Sequence, residues 1–211
     1  MPGAANSSKR PSKREQTRLR VIEAAIECIY LEGFNAAHTN RIAETAGVSW
    51  GVLQYHFGDK DGLLQAVLDH IFSDFSATLA DTRLQGDNLR DRVAQLIEVV
   101  WSLVSLPSYR VSVAILRNAG KDSASSIDGQ RQVEAWSARI SELWDDLFAG
   151  DITAPRQGEV ARHLVFATLR GLADEINPDG RSARSRQLEH AALADAITFL
   201  LQPPEGADPP G

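Results

Sequence analysis

The stretch Ile42–Phe57 reads IAETAGVSWGVLQYHF. Two short helical segments meet at Gly47-Val48-Ser49, which is the spacing of a helix-turn-helix. Each residue type has a mechanical role in that motif. Ala43 is small where the two helices cross, and Gly47 frees the backbone for the turn. Val48 and Leu53 point inward and pin the later helix, while Ser49 stands where a hydroxyl caps it. The capped helix then offers its first residues outward, as a reader of a DNA major groove does. A helical hairpin inside an ordinary core has the same small residues at its crossing, so the surrounding chain decides between the two.

Upstream, Leu19, Ile22, Ala25, Ile26, Ile29 and Tyr30 recur at spacings of three and four. This predicts a helix over 12–32, stopped by Gly33. A second helix is expected over 38–46, with Ile42, Ala43 and Ala46 inward, and a third over 50–57. Gly58-Asp59-Lys60-Asp61 breaks the third helix and caps a fourth that runs to about Thr82. Leu63, Leu64, Val67, Leu68, Ile71, Phe72, Phe75 and Leu79 form the apolar face of the fourth. Helical periods continue over 89–106, 107–118, 130–148, 155–176 and 182–202, and Pro107 suits a first turn. Residues 120–129 read as a polar loop, and Asn177-Pro178-Asp179-Gly180 as a stop. No run alternates as a strand does. The expected fold class is all-α, with about nine helices. A disordered basic arm is expected over 1–12 and a disordered tail over 203–211.

Composition narrows the class. The 211 residues are 43% hydrophobic and 24% charged, ordinary values for a globular protein. The single cysteine, Cys28, rules out an intramolecular disulfide and a Cys-based zinc site. No segment approaches the ~20 apolar residues of a membrane span. The start MPGAANSSKRPSKREQ has no apolar signal core, so the expected location is cytoplasmic, with no membrane partner. Charge is uneven along the chain. The first 20 residues hold six basic groups against Glu15 alone, whereas residues 61–211 hold fourteen basic and twenty-two acidic groups. A basic end on an acidic body suggests an anionic partner at that end, although a solvated basic tail gives the same pattern.

The stretch Thr17–Leu64 resembles the DNA-binding domain of the TetR (tetracycline repressor) family of bacterial transcriptional regulators. The resemblance lies in Ile22, Ala24, Ala25, Gly33-Phe34, Ile42-Ala43 and Ala46-Gly47-Val48-Ser49. It continues through Gly51, Leu53, His56-Phe57, Lys60 and Leu63-Leu64. It implies a DNA-binding domain over 13–58 and a helical ligand-binding and dimerisation domain over 59–202. It also implies a homodimer through the last two helices, about 155–176 and 182–202, reading a near-palindromic double-stranded DNA operator and answering to a small-molecule effector. Departures from the family pattern are visible. Ala37 stands at the place of a capping Thr or Ser, Trp50 at that of Lys or Arg, Val52 at that of Thr, and Gln54 at that of Tyr.

These departures leave a particular set of candidate DNA contacts. On the third helix they are Ser49, Trp50, Gly51, Val52, Gln54 and Tyr55. Gln54 can bond adenine bidentately, and Val52 can touch a thymine methyl. Trp50 suits either a base edge or the neighbouring helix, and Tyr55 can donate to a phosphate. His38, Thr39 and Asn40 begin the second helix, where phosphates bind. Lys60 is a phosphate contact by resemblance. Arg18, with Lys13 and Arg14, can reach the backbone or minor groove. Phe34 and Phe57 read as core. Candidate ligand contacts are Phe72, Phe75, Trp101, Tyr109, Arg117, Trp136, His163, Phe166 and Arg170, apolar walls with a few polar groups. Catalysis, a cofactor and a metal are not expected. The five histidines show no HExxH or His–Cys spacing, and there is no nucleophile elbow, P-loop or dinucleotide fingerprint.

Overall fold

The computed structural model describes residues 12–119, 127–152, 155–175 and 186–202. The expected tail and the Asn177–Gly180 stop lie outside the described residues, as do nearly all of the arm and most of the 120–129 loop. The described residues form nine helices and no strand, an all-α fold. These are α1 (Lys13–Glu32), α2 (Thr39–Thr45), α3 (Trp50–Phe57), α4 (Lys60–Asp81), α5 (Leu89–Val104), α6 (Pro107–Ala119), α7 (Gly129–Leu147), α8 (Pro155–Asp174) and α9 (Gln187–Leu201). No single described helix is long and apolar enough to cross a membrane.

The chain packs as two compact units. One comprises residues 1–70 with 111–127, the other 71–110 with 128–211. In the first, α1 starts on a reciprocal cap: the Glu15 amide donates to Ser12 Oγ at 3.2 Å, and the Ser12 amide donates to Glu15 Oε2 at 2.6 Å. Val21, Ile22, Ala25 and Ile29 of α1 are buried together with Ile42 and Ala43 of α2, Leu53 of α3 and Leu63 and Val67 of α4. Leu19, expected in the apolar stripe, is 41% exposed. The buried face of α1 is centred on Val21-Ile22 and Ala25, which puts Leu19 beyond its edge. Cys28 is buried, with its thiol 3.4 Å from Thr45 Oγ1.

In the second unit, α5 supplies a stripe of Val93, Leu96, Ile97, Val100 and Val104, each no more than 1% exposed. Residues at these spacings share one helix face. They join Ala161, Val165 and Leu169 of α8, Ala194 and Ile197 of α9, and Leu143 and Trp144 of α7 in one core. Arg110 donates to the Ala173 carbonyl at 3.0 Å, near the end of α8.

Two glycines inside helices of the first unit have opposite surroundings. A β-carbon at Gly62 would lie 2.0 Å from the Phe57 carbonyl oxygen, whereas at Gly51 its nearest neighbour is Ser49 Oγ at 3.9 Å. Gly62→Ala is therefore expected to destabilise by about 2–4 kcal/mol. Gly51→Ala is expected to stabilise by about 0.5–1 kcal/mol, because it restricts the unfolded chain. Urea midpoints with unchanged m-values would measure both.

Candidate nucleic-acid interface

The interface is built on α3, an eight-residue helix held at both ends. Gly47 takes φ of +63°, which turns the chain out of α2. The Val52 amide then donates to the Ser49 hydroxyl at 3.4 Å, so Ser49 caps α3 as its position suggested. Leu53 is the one fully buried side chain of α3. The other side chains of the helix face outward or lie at its margin. Trp50 is 51% exposed and Tyr55 70%, so Trp50 is presented to solvent rather than packed away. Gly51 and Gln54 are exposed as well, and Val52 is half-buried.

Basic groups of α1 flank this helix. The Arg14 guanidinium carbon lies 5.5 Å from the Tyr55 ring centroid, and that of Arg18 5.4 Å from the Phe57 ring. The Lys60 ammonium stands 5.1 Å from the centroid of Phe34. Such contacts hold a cation in place while leaving its N–H groups available. Phe34 and Phe57, expected in the core, are half-buried platforms for these cations. A groove of about 590 Å³ runs between α1 and α3, bordered by Lys13, Arg14, Thr17, Arg20, Ser49 and Tyr55. Thr17 and Arg20 were not singled out from sequence. The spacing of Lys13, Thr17 and Arg20 by four and three residues was the available signal.

The side-chain cap of α2 is lost, as Ala37 at the place of the family's Thr or Ser implies. The place of the family's capping residue was read as Ala37, but Ala37 is buried at 2% exposure and the helix is capped one residue later, at His38. The His38 side chain makes no cap hydrogen bond. His38 and Asn40 are exposed and Thr39 is half-buried.

The expected ligand residues divide into several groups. Phe75 of α4, Tyr109 of α6 and Phe166 of α8 come together, with ring centroids 6.3 and 6.4 Å from Phe75. Arg170 donates to the Phe166 carbonyl at 3.0 Å and hydrogen-bonds the Tyr109 hydroxyl. Burial raises the Tyr109 phenol above its ordinary pKa, and Arg170 opposes that shift. Phe72 stacks flat on Trp136, 4.7 Å between centroids. Trp101 instead meets His190 edge-on at 5.0 Å, and His163 is exposed on α8. Arg117 belongs to the first unit. No group of His, Cys, Asp and Glu able to hold a metal occurs among the described residues.

Comparison with known proteins places this arrangement. Residues 21–67, most of the first unit, match the model for bacterial regulatory proteins of the tetR family. This segment is a TetR-family DNA-binding domain. SrpR of Pseudomonas putida, an HTH-type transcriptional regulator, is 29% identical over 93% of this chain and 91% of its own length. BetI 2 of Chromohalobacter salexigens, another HTH-type transcriptional regulator, is 38% identical. That match spans 42% of this chain and only 42% of BetI 2, well under half of either protein. Among solved structures, Salmonella enterica GusR superposes with a TM-score of 0.70 at 22% identity, covering 92% of this chain and all of GusR. The curated TetR-family relatives are regulators rather than enzymes.

His56, next to the exposed face of α3, has a pKa below its ordinary value, first through burial and then through the charges of Arg14 and Arg18. A histidine that holds its proton less tightly folded than unfolded costs stability as pH falls through the unfolded value of about 6.5. Urea titrations from pH 8 to 5 should show the midpoint falling over that window, and His56→Gln should remove that part of the fall.

Proposed function

We propose that this chain is a DNA-binding transcriptional repressor that acts as a homodimer and is released from its operator by a small molecule. The observation that carries the reading is α3, capped by Ser49 and anchored by Leu53, with Trp50, Gln54 and Tyr55 turned outward beside the cations of α1. Gln54 and Val52 are the base readers. Lys13, Arg14, Arg18, Lys60 and Tyr55 hold the phosphates, together with His38, Thr39 and Asn40 at the start of α2.

Dimerisation rests on the outer faces of α8 and α9. Val160 and Leu164 of α8 are 43% and 42% exposed, and Leu188 and Phe199 of α9 are 83% and 57% exposed. Ala167 and Gly171 continue the α8 stripe at spacings of three and four, and Ala192 and Ala196 lie between Leu188 and Phe199 on α9. Small and apolar side chains in this pattern suit a four-helix contact between two copies. Two copies of α3 then sit about 34–36 Å apart, one turn of DNA.

Effector and operator oppose each other through α4 in this reading. The helix carries Lys60 in its first turn and Phe72 and Phe75 about 18–22 Å further along its axis. A molecule that moves Phe72 or Phe75 displaces Lys60, with a coupling of about 1–3 kcal/mol.

Selection of genomic fragments with the purified protein, followed by footprinting across a salt series, tests the reading. A protected near-palindrome whose affinity falls steeply with salt is the expected result; no salt-sensitive binding to any duplex would refute it. On the selected duplex, Arg14→Ala should weaken binding to all sequences alike and lower the salt slope by about 1. Gln54→Ala should relax preference at one base pair by about 1–3 kcal/mol. Leu188→Glu with Phe199→Glu should give a monomer by light scattering and lose about a hundredfold in operator affinity.

A further inference from the structure

A second cleft, of about 440 Å³, lies between the end of α7 and the first half of α8, and shares no residue with the aromatic cluster around Phe75. Its distinguishing feature is Arg162. This arginine is 8% exposed, borders the cleft, and makes no hydrogen bond or ion pair among the described residues. None of its nitrogens is both fully buried and without a partner, so its five fixed N–H donors meet the solvent of the cleft. Arg92 pairs with Asp151 and ties down the turn after α7. Ile152 closes against α8, and Gly158 permits this, since a β-carbon there would lie 3.0 Å from Ile152 Cγ2.

The other walls limit what the cleft can take. Asp145 and Glu159 border it with exposed carboxylates, and neither pairs with Arg162. Two carboxylates around one guanidinium repel a phosphate or other dianion. They favour a molecule whose carboxylate reaches Arg162 while an ammonium faces Asp145 and Glu159. Ile152, half-buried, supplies an apolar wall for a side chain, and the volume falls in the range of small-molecule sites. We propose that this cleft binds a small zwitterion, a carboxylate and an ammonium on an apolar stem, with Arg162 holding the carboxylate. The proposal is independent of DNA reading and of the aromatic cluster.

The test is calorimetric titration and thermal unfolding of the full chain with three probes: L-phenylalanine, 3-phenylpropionate, which lacks the ammonium, and phenethylamine, which lacks the carboxylate. L-phenylalanine should bind best and phenethylamine worst. Arg162→Gln should weaken L-phenylalanine binding at least about tenfold, the loss of a charge-assisted hydrogen-bonded pair. The double variant Asp145→Asn with Glu159→Gln should narrow the gap between L-phenylalanine and 3-phenylpropionate, and it decides the matter if Arg162→Gln does not fold. The proposal is overturned if no probe binds at millimolar concentration or Arg162→Gln leaves affinity unchanged. It is also overturned if the double variant leaves the gap intact.

Discussion

An eight-residue helix is too short to persist in water on its own, because nucleation costs more than so few backbone bonds return. The helix α3 persists because Leu53 enters the core formed with α1 and α2 and because Ser49 accepts its first amide. Burying one leucine contributes about 1.5–3 kcal/mol, and a cap about 1 kcal/mol. This economy of anchoring is what makes the surface. With one side chain fully committed inward, Trp50, Gln54 and Tyr55 are left for a partner.

The cations beside α3 follow the same logic. Arg14 and Arg18 rest over two rings of α3, and Lys60 over Phe34, which follows α1. The rings hold the charges without neutralising them, as a carboxylate would. Positive potential therefore collects at one end of a chain whose formal net charge is -6. The acidic remainder is repelled by phosphate, which restricts the orientation of approach.

The helix-turn-helix was legible because its constraints are local. Gly47, Ser49, Ala43 and Leu53 lie within a dozen residues, and each is dictated by the turn, the cap or the crossing. The nine helices of the described residues were legible from apolar period and breakers. Contacts between distant residues were not legible. Arg14 and Tyr55 are 41 positions apart, and nothing in either segment announces the pair. Phe34 and Phe57 were misread because an aromatic side chain signals burial but not the cation above it. Gly62 looks like any helical glycine until the Phe57 carbonyl is in place. Among arginines, sequence singled out Arg117, which lies in the other unit, and passed over Arg162, because depth is not written in a residue's neighbours along the chain.

Amide hydrogen exchange of the full chain, with and without its selected duplex, tests the central claim most directly. The account predicts new protection over residues 47–57 and 13–20, the reading helix and the cationic face of α1, and no comparable protection of α7. Protection confined to the second unit, with α3 exchanging as freely as in the unbound chain, would contradict it.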